Sequence, residues 1–589
     1  MLHFSLLRNL ERHFTYLDTV LSPGRYYIVW GALRDVLLGH EHDPTDIDLT
    51  WPGLPDEIWT QIQQATWDTF RTEKFGTMSL LIENTSYEFT PFRTEGTYAD
   101  FRRPDEISWT NDLLVDSKRR DFTINACYAS ALSLAPHIIP APDASLTYTI
   151  ADRADATSLQ ETHPAWYMPA EHILYISDHQ TIAQVTQEWA LCLDACRDLL
   201  ENVPHVTWTR TPVSSSSSPA SSALEKLLVI VDPHHGVYDL VMRTITAVGD
   251  PHQRFSEDAL RVLRAVRFAN KLNNRLDDTD DGYDFTHETW HAMKKAYYLV
   301  SYIAKERIRE EIVKVFQDHN PMWYIALLDE LNLLKFIFPA LAATKHVPQP
   351  VRYHSFDVYA HTLLTLHAVQ WLTDQYLTRL AMLYHDVGKT DQYYYFGQHI
   401  SKEEKRLPLT HHMYHAQSLS PELAKQDFTA LGFSRKEIET ICTYITYHHR
   451  PGELLECAPD KRKKKLRQLL STLGYEACSE IIKLALSDRL GQHNPMQPPQ
   501  LQKLYLLEQE LQELYEEEGR FTLDQLALNG TLLMETFELP PGPHVGRLLD
   551  LAFQWVMNNI AERNQSDTII AYLRGLAELQ TIQDRYRNA

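Results

Sequence analysis

The chain lacks the features of a membrane-spanning, secreted or uniformly basic protein. No apolar run approaches the ~20 residues a helix needs to cross a bilayer, so no membrane association is expected. The opening stretch, MLHFSLLRNLERHF, is amphipathic and contains Glu11. It has neither a long apolar core nor a small-residue cleavage site, so a secretory signal is not expected. Six cysteines in 589 residues make no disulfide framework. Cys192 and Cys196, four apart, read as packing residues on a helix, and the expected compartment is the cytoplasm. Basic residues are in deficit: 56 Lys and Arg against 78 Asp and Glu give a net charge of −22. Phosphate contacts need Lys and Arg, so any RNA must meet selected faces. Three local clusters supply them: Arg119-Arg120, the series Arg254, Arg261, Arg264, Arg267, Lys271 and Arg275, and the run KRKKK at 461–465.

The length predicts several domains. Leu6, Leu7, Leu10 and Phe14 fall at helical spacing within 1–20. Strands are expected at Tyr26–Val29 and Ile47–Thr50, a helix at Ala32–Leu38, and a hairpin of Ser79–Glu83 with Tyr87–Phe92. This is an α+β head around a small mixed sheet. Residues 130–226 differ in composition, with a strand at Ile173–Ile176, a helix at Ile182–Leu200 and the Ser-rich run 214–222, a flexible linker. From about Glu257 the pattern is nearly all helical. The expected organisation is a head at 1–129 completed by 227–255, an insertion at 130–226, a helical neck at 256–340, a metal-binding helical body at 341–500 and a C-terminal helical tail at 501–589. The oligomeric state is not legible.

Chemistry is concentrated in ordered motifs. Gly31-Ala-Leu-Arg34-Asp35 precedes Asp46-Ile47-Asp48. Carboxylates at i and i+2 of a strand share a face, as a Mg²⁺-dependent phosphoryl transfer requires; alone, the pair also fits a solvated strand end. Gly31 would allow close approach of backbone to phosphate. Arg119-Arg120-Asp121-Phe122-Thr123-Ile124-Asn125 offers guanidinium forks for phosphate and ribose oxygens. Ser256, Glu257 and Asp258 look like a helix start. Asp258 and Arg261, three apart, would then share a helix face and could read a base edge, or simply pair with each other. In the second half, His361, His385-Asp386, His415, His448-His449 and Asp488 form a series of metal-ligand types across helices.

These segments resemble, in order, the motifs of the class II nucleotidyltransferases, which comprise bacterial tRNA CCA-adding enzymes and poly(A) polymerases. RRDFTINA stands at 119–126, EDALR at 257–261 and ERIREE at 306–311; Ile230–Asp239 resembles the segment before the base-reading helix. The resemblance implies Asp46 and Asp48 as metal ligands, with Glu88 as a third carboxylate. It also implies Gly31, Arg34, Arg119, Arg120, Asp121, Asn125 and Arg264 at the nucleotide, and Asp258 and Arg261 selecting CTP and ATP. Arg267, Arg307 and Arg309 would face RNA. The His/Asp series resembles the HD phosphohydrolases, implying His361, His385, Asp386 and Asp488 around a transition metal or Mg²⁺, with His415 and His449 completing a second site. The tail resembles the tRNA-binding module of HD-type CCA enzymes, with Gly542 and Gly546 offering backbone N–H groups to RNA. Glu95–Pro104 resembles the loop used in switching from C to A.

Three departures stand out. Trp30 occupies a position where the family has glycine, Thr531 one where it has Asp, and the insertion replaces a short hairpin. The implied activity is CCA addition to tRNA from CTP and ATP, with phosphohydrolysis at the second site. A poly(A) polymerase, a phosphohydrolase with a disabled head and a non-catalytic RNA-binding protein are the rivals.

Overall fold

A computed structural model describes residues 2–22, 25–29, 31–39, 44–63, 68–72, 76–82, 84–96, 107–133, 146–150, 165–168, 173–186, 210–212, 226–274, 282–318, 320–349, 354–390, 409–493 and 498–587. Trp30, most of the 95–104 loop, Cys192, Cys196, the Ser-rich run and Arg275 lie outside them. The chain divides into two compact units, Met1–Glu311 with Leu331–Leu333, and Ile312–Glu330 with Leu334–Ala589. The division falls inside the segment read as one neck.

The first unit is built on nine strands: β1 Tyr27–Val29, β2 Asp46–Trp51, β3 Asp68–Thr72, β4 Thr77–Ile82, β5 Thr85–Pro91, β6 Tyr128–Ser133, β7 Ala165–Met168, β8 Ile173–Ile176 and β9 Lys226–Val231. Their order in the sheet is β7-β8-β9-β6-β1-β2-β5-β4-β3. The central β1 and β9 read as unbroken apolar runs (YIV and KLLVIV) because nearly every position is buried. β2 alternates at its start, with Asp46 exposed, Ile47 buried and Asp48 half-buried, because only one face is covered there. β4 and β5 form the expected hairpin. β5 runs parallel to β2, with Asp48 opposite Glu88.

The insertion contributes to this sheet. β8 pairs parallel with β9, and β7 closes that edge. Of the helix expected at 182–200, the described part is His179–Val185, capped by Asp178; 187–200 lie outside the described residues. The single helix expected over 1–20 is divided into a short strand Leu2–His3, a 3-10 turn Phe4–Leu10 and a helix Glu11–Leu17. The cause is tertiary: Leu2 and His3 pair with Ile150 and Thr149 of the insertion.

Helices α1 Gly31–Leu37, α2 Leu113–Lys118, α3 Gly236–Met242, α4 Pro251–Glu257 and α5 Leu260–Asn273 complete this unit's functional part. The helix start expected at Ser256 is the end of α4. Asp258 is extended (φ −140°, ψ 102°), and α5 begins two residues later.

Among its described residues the second unit contains helices and no strand. They include α6 Val358–Val369, α7 Tyr376–Tyr384, α8 Leu409–Ala430, α9 Arg435–Tyr447, α10 Arg450–Leu455, α11 Pro459–Leu473, α12 Tyr475–Gly491, α13 Pro498–Glu518, α14 Gly530–Phe537 and α15 Pro543–Val556. Two apolar cores lie within it. One centres on Leu466, Leu470, Ile482 and Leu511, the other on Leu533, Leu548, Val556 and Leu573. No described helix is long and apolar enough to cross a membrane.

Candidate functional site

The strand register assembles the first site. Asp46 and Asp48 project from the same face of β2, and Glu88 stands beside Asp48 on β5. Burial raises the Asp48 carboxyl to about 6, helped by the negative charges of Asp46 and Glu88 and opposed by Arg120 and Arg264. Three carboxylates gathered on neighbouring strands are an oxygen donor set suited to Mg²⁺, so the residues present fit that ion. Gly31 opens α1. A Cβ there would meet only the Arg34 guanidinium, at 3.7 Å, an ordinary contact. The fold alone therefore does not require glycine at 31.

Around the carboxylates, four of the expected nucleotide-binding residues form one buried chain. Arg34 Nη1 donates to Asn125 Oδ1 (2.9 Å), Asn125 Nδ2 to Asp121 Oδ1 (3.2 Å), and Arg264 Nε to Asp121 Oδ2 (2.7 Å). Against the cost of burial, Arg264 and Asn125 hold the Asp121 carboxyl below its ordinary value. The guanidiniums of Arg34, Arg264 and Arg267 surround the Phe268 ring at 5.3, 5.4 and 4.3 Å. The Arg119-Arg120 pair is turned inward onto Asp116. Arg119 Nε and Arg120 Nη2 donate to its two oxygens at 2.8 and 2.9 Å, and Arg120 Nε donates to the Tyr128 hydroxyl at 2.7 Å.

Asp258 and Arg261 do not share a helix face. Asp258 accepts both guanidinium nitrogens of Arg307 (3.3 and 2.8 Å) and the Leu260 N–H. Arg261 donates to Glu257, to the Arg254 carbonyl and to the Arg119 carbonyl. The i,i+3 reading fails because the chain leaves the helix at 258. Arg267 pairs with Glu311 at 2.5 Å. Arg309 is half-buried on the helix Lys305–Gln317. Sequence reasoning missed Asp116, Tyr128 and Glu311. Each is the buried acceptor of an arginine that it did name, and that need for a partner was the available signal.

The second site lies in the helical unit. His361 comes from α6, His385 and Asp386 follow α7, and Asp488 sits on α12. One ligand atom of each lies within 4.8 Å of all the others. His361 Nε2 is 3.1 Å from Asp488 Oδ1, and His385 Nε2 is 3.2 Å from Asp386 Oδ2. His385 Nδ1 is held by the Met382 carbonyl at 2.8 Å, which turns Nε2 toward the carboxylates. Burial works against a charge on His385, but Asp386 and Asp488 raise its pKa to about 10. Both ring nitrogens of His361 and Nε2 of His385 are buried without a hydrogen bond, and two imidazoles with two carboxylates are the donors of a divalent metal site. The residues fit such an ion.

Of the proposed completing ligands, His415 lies in α8, but its side chain is outside the described residues. His449 is not in the four-ligand group; its ring contacts that of the buried His448, which packs against His385 at 5.4 Å. His354, missed from the sequence, stands with its ring 4.7 Å from His361, and Lys389 Nζ is 2.5 Å from Asp386. A histidine seven residues before His361 was the signal for the first.

In the tail, Gly542 precedes α15 with extended backbone (φ 169°), and Gly546 is exposed with nothing near its missing Cβ. Pro543 fills the first helical position and carries no N–H, so this helix start offers one donor fewer than a free N-terminus. Thr531 is exposed on α14.

Comparison with known proteins places names on these regions. The family profile described as "Poly A polymerase head domain" matches residues 26–138, "Probable RNA and SrmB- binding site of polymerase A" matches 282–345, and "tRNA nucleotidyltransferase domain 2 putative" matches 398–573. A CCA-adding enzyme of Levilactobacillus brevis is 30% identical over 306 residues, 52% of this chain and 50% of that protein. One from Enterococcus faecalis is 29% identical over 294 residues, covering 50% of this chain and 46% of its own. The chain thus spans about half the length of the curated relatives it matches. Among solved structures, the Bacillus stearothermophilus CCA-adding enzyme in complex with CTP matches with a TM-score of 0.55 and 19% identity, covering 100% of this chain and 98% of that one. At that identity the likeness concerns the fold, which is α+β. Residues 26–138 are thus similar to the poly A polymerase head domain and residues 398–573 to the tRNA nucleotidyltransferase domain, and the chain is similar over about half its length to CCA-adding enzymes.

Proposed function

We propose that this protein adds CCA to the 3′ ends of tRNA from CTP and ATP. The observation that carries the reading is the carboxylate face of Asp46, Asp48 and Glu88, set by the β2–β5 register. These residues would hold Mg²⁺, which when bound activates the 3′-hydroxyl and neutralises triphosphate charge. The overall change is in-line attack of the tRNA 3′-hydroxyl on the α-phosphate, forming one P–O bond and breaking the bond to pyrophosphate. The chain Arg34–Asn125–Asp121–Arg264 holds the nucleotide-facing segments rigid, so their groups are aimed before substrate arrives. Asp258 and Arg261 select the base from separate anchorages. The relatives named above support tRNA as substrate.

The test is to sequence 3′ ends after incubating the protein with Mg²⁺, CTP, ATP and tRNA lacking CCA. A defined CCA end is expected. A homopolymer of A would make the protein a poly(A) polymerase, and no extension would remove the transferase reading and direct attention to Trp30.

The His361, His385, Asp386 and Asp488 group favours a second activity, metal-dependent hydrolysis of phosphate esters in a domain of HD type. The ion, when bound, would activate water. His385 is oriented by the Met382 carbonyl, and Lys389 balances the charge of Asp386. The expected compartment remains the cytoplasm.

A further inference from the structure

Adjoining the four-ligand group through Asp488 is a cavity of about 150 Å³ whose lining includes His448, His449, Gly452, Asp488, Arg489 and Lys503. It is shared by α10, α12 and α13, so it is part of the helical body. His448 is 2% exposed, and its Nδ1 is satisfied by the Ile445 carbonyl while Nε2 has no partner, so a buried polar atom on the cavity wall is left to meet a ligand. The Arg489 guanidinium is held only loosely, by one long hydrogen bond of 3.3 Å to Gln492. Gly452 leaves the space beside it open: a Cβ there would come within 3.6 Å of Arg489 Nη2, and no left-handed backbone forces glycine at that position. Lys503 adds a second cation on the wall, with no ion pair among the described residues. The opposing charges are Glu456 and the ligand Asp488.

We propose that this cavity receives the phosphate end of a phosphate ester, with Arg489 and Lys503 as the residues that recognise its charge and Gly452 as the gap that admits it. The proposal rests on the reading of the neighbouring cluster as a phosphoesterase centre and names the residues that would recognise its substrate. Size limits the ligand further. Pockets enclosing whole small molecules hold roughly 300 Å³ or more, so the cavity takes the phosphate and leaves the rest of the ester outside. Guanidinium and ammonium groups suit phosphate oxygens, the first as a fork and the second as a point charge.

The test uses the full chain loaded with Mn²⁺. Titration calorimetry with inorganic phosphate, metal content by mass spectrometry, and hydrolysis of 4-nitrophenyl phosphate are measured for the unaltered protein, Arg489→Gln, Lys503→Gln and Gly452→Leu. The variants should keep the metal and kcat but bind phosphate, and show KM, weaker by roughly tenfold or more in Arg489→Gln, as expected for a lost charged hydrogen bond. Gly452→Leu should do the same without removing a charge. Metal-loaded variants with unchanged phosphate affinity and KM would overturn the proposal, as would failure of the unaltered protein to bind phosphate. Phosphate binding that these substitutions weaken, without any metal-dependent hydrolysis, would instead support the cavity and remove the phosphoesterase reading. Comparing a nucleoside 3′-monophosphate with an oligoribonucleotide ending in 3′-phosphate separates the two sources of that group.

Discussion

At the scale of single residues, the arginines proposed to face the nucleotide are also part of the scaffold. Asp121 accepts from Arg264 and Asn125 in a buried setting. Asp121→Asn removes the carboxylate onto which Arg264 donates, a loss of roughly 3–5 kcal/mol for a buried pair, and urea unfolding of the head should register it. Asp116 predicts a pH response. Against the cost of burial, Arg119 and Arg120 hold its carboxyl below the ordinary value of 3.8. A depressed folded-state pKa gives stability that is present above the unfolded value and lost as pH falls through the folded one. Unfolding followed by tryptophan fluorescence should therefore show head stability from this residue intact above about pH 4 and falling below it, and the acid-dependent component should be missing in Asp116→Asn. For catalysis, Asp46→Ala and Asp48→Ala should each abolish nucleotide addition while tRNA binding in gel shift is kept; retained turnover would remove that residue from the metal site. The Asp-x-Asp pair was legible because strand periodicity is local. The partners of Asp258 and Arg261 were not, since a break in the helix at 258 and a guanidinium 49 positions away at Arg307 leave no mark at short range.

At the scale of elements, the same contrast governs the basic run at 461–465. From composition it is a phosphate-binding patch. In the fold it lies on α11 opposite the acidic face of α13, where Arg462 forks onto Glu510 and Lys463 meets Glu517; a few residues on, Arg467 forks onto Glu518 and also caps the Met557 carbonyl. Acids some 50 positions distant pair with two of its five cations, which a sequence window cannot reveal. Arg467→Ala should thus cost the helical unit about 2–4 kcal/mol in thermal or urea unfolding, with tRNA affinity of the folded protein unchanged; a selective loss of tRNA affinity would make Arg467 an RNA contact instead. Helix packing gives a second case. A Cβ on Gly236 would lie 2.1 Å from the Thr123 carbonyl oxygen, so α3 approaches the motif turn as closely as backbone allows. The sequence shows the glycine in a recognisable segment but not the surface it presses against.

At the scale of the whole molecule, two compact units each with apolar cores imply that a single two-state description is inadequate. Calorimetry should resolve more than one transition. CTP with Mg²⁺ should raise the one belonging to the head and Mn²⁺ alone the one belonging to the helical unit, each by about 2.7 kcal/mol at a hundredfold excess over Kd. A shift of the wrong transition would reassign the ligand. The order of motifs along the chain was enough to foresee a head followed by helices. It did not foresee that strands of the insertion would join the head sheet, because pairing of β8 with β9 joins positions more than 50 residues apart.

That edge position carries a practical meaning. Four inter-strand steps of about 4.8 Å separate β8 from the carboxylate strand β2, so additional chain has been accommodated at the border of the sheet farthest from the acidic face on that side. A change in β7 or β8 is consequently remote from the carboxylates, whereas a one-residue slip of β5 against β2 would throw Glu88 to the opposite side of its strand.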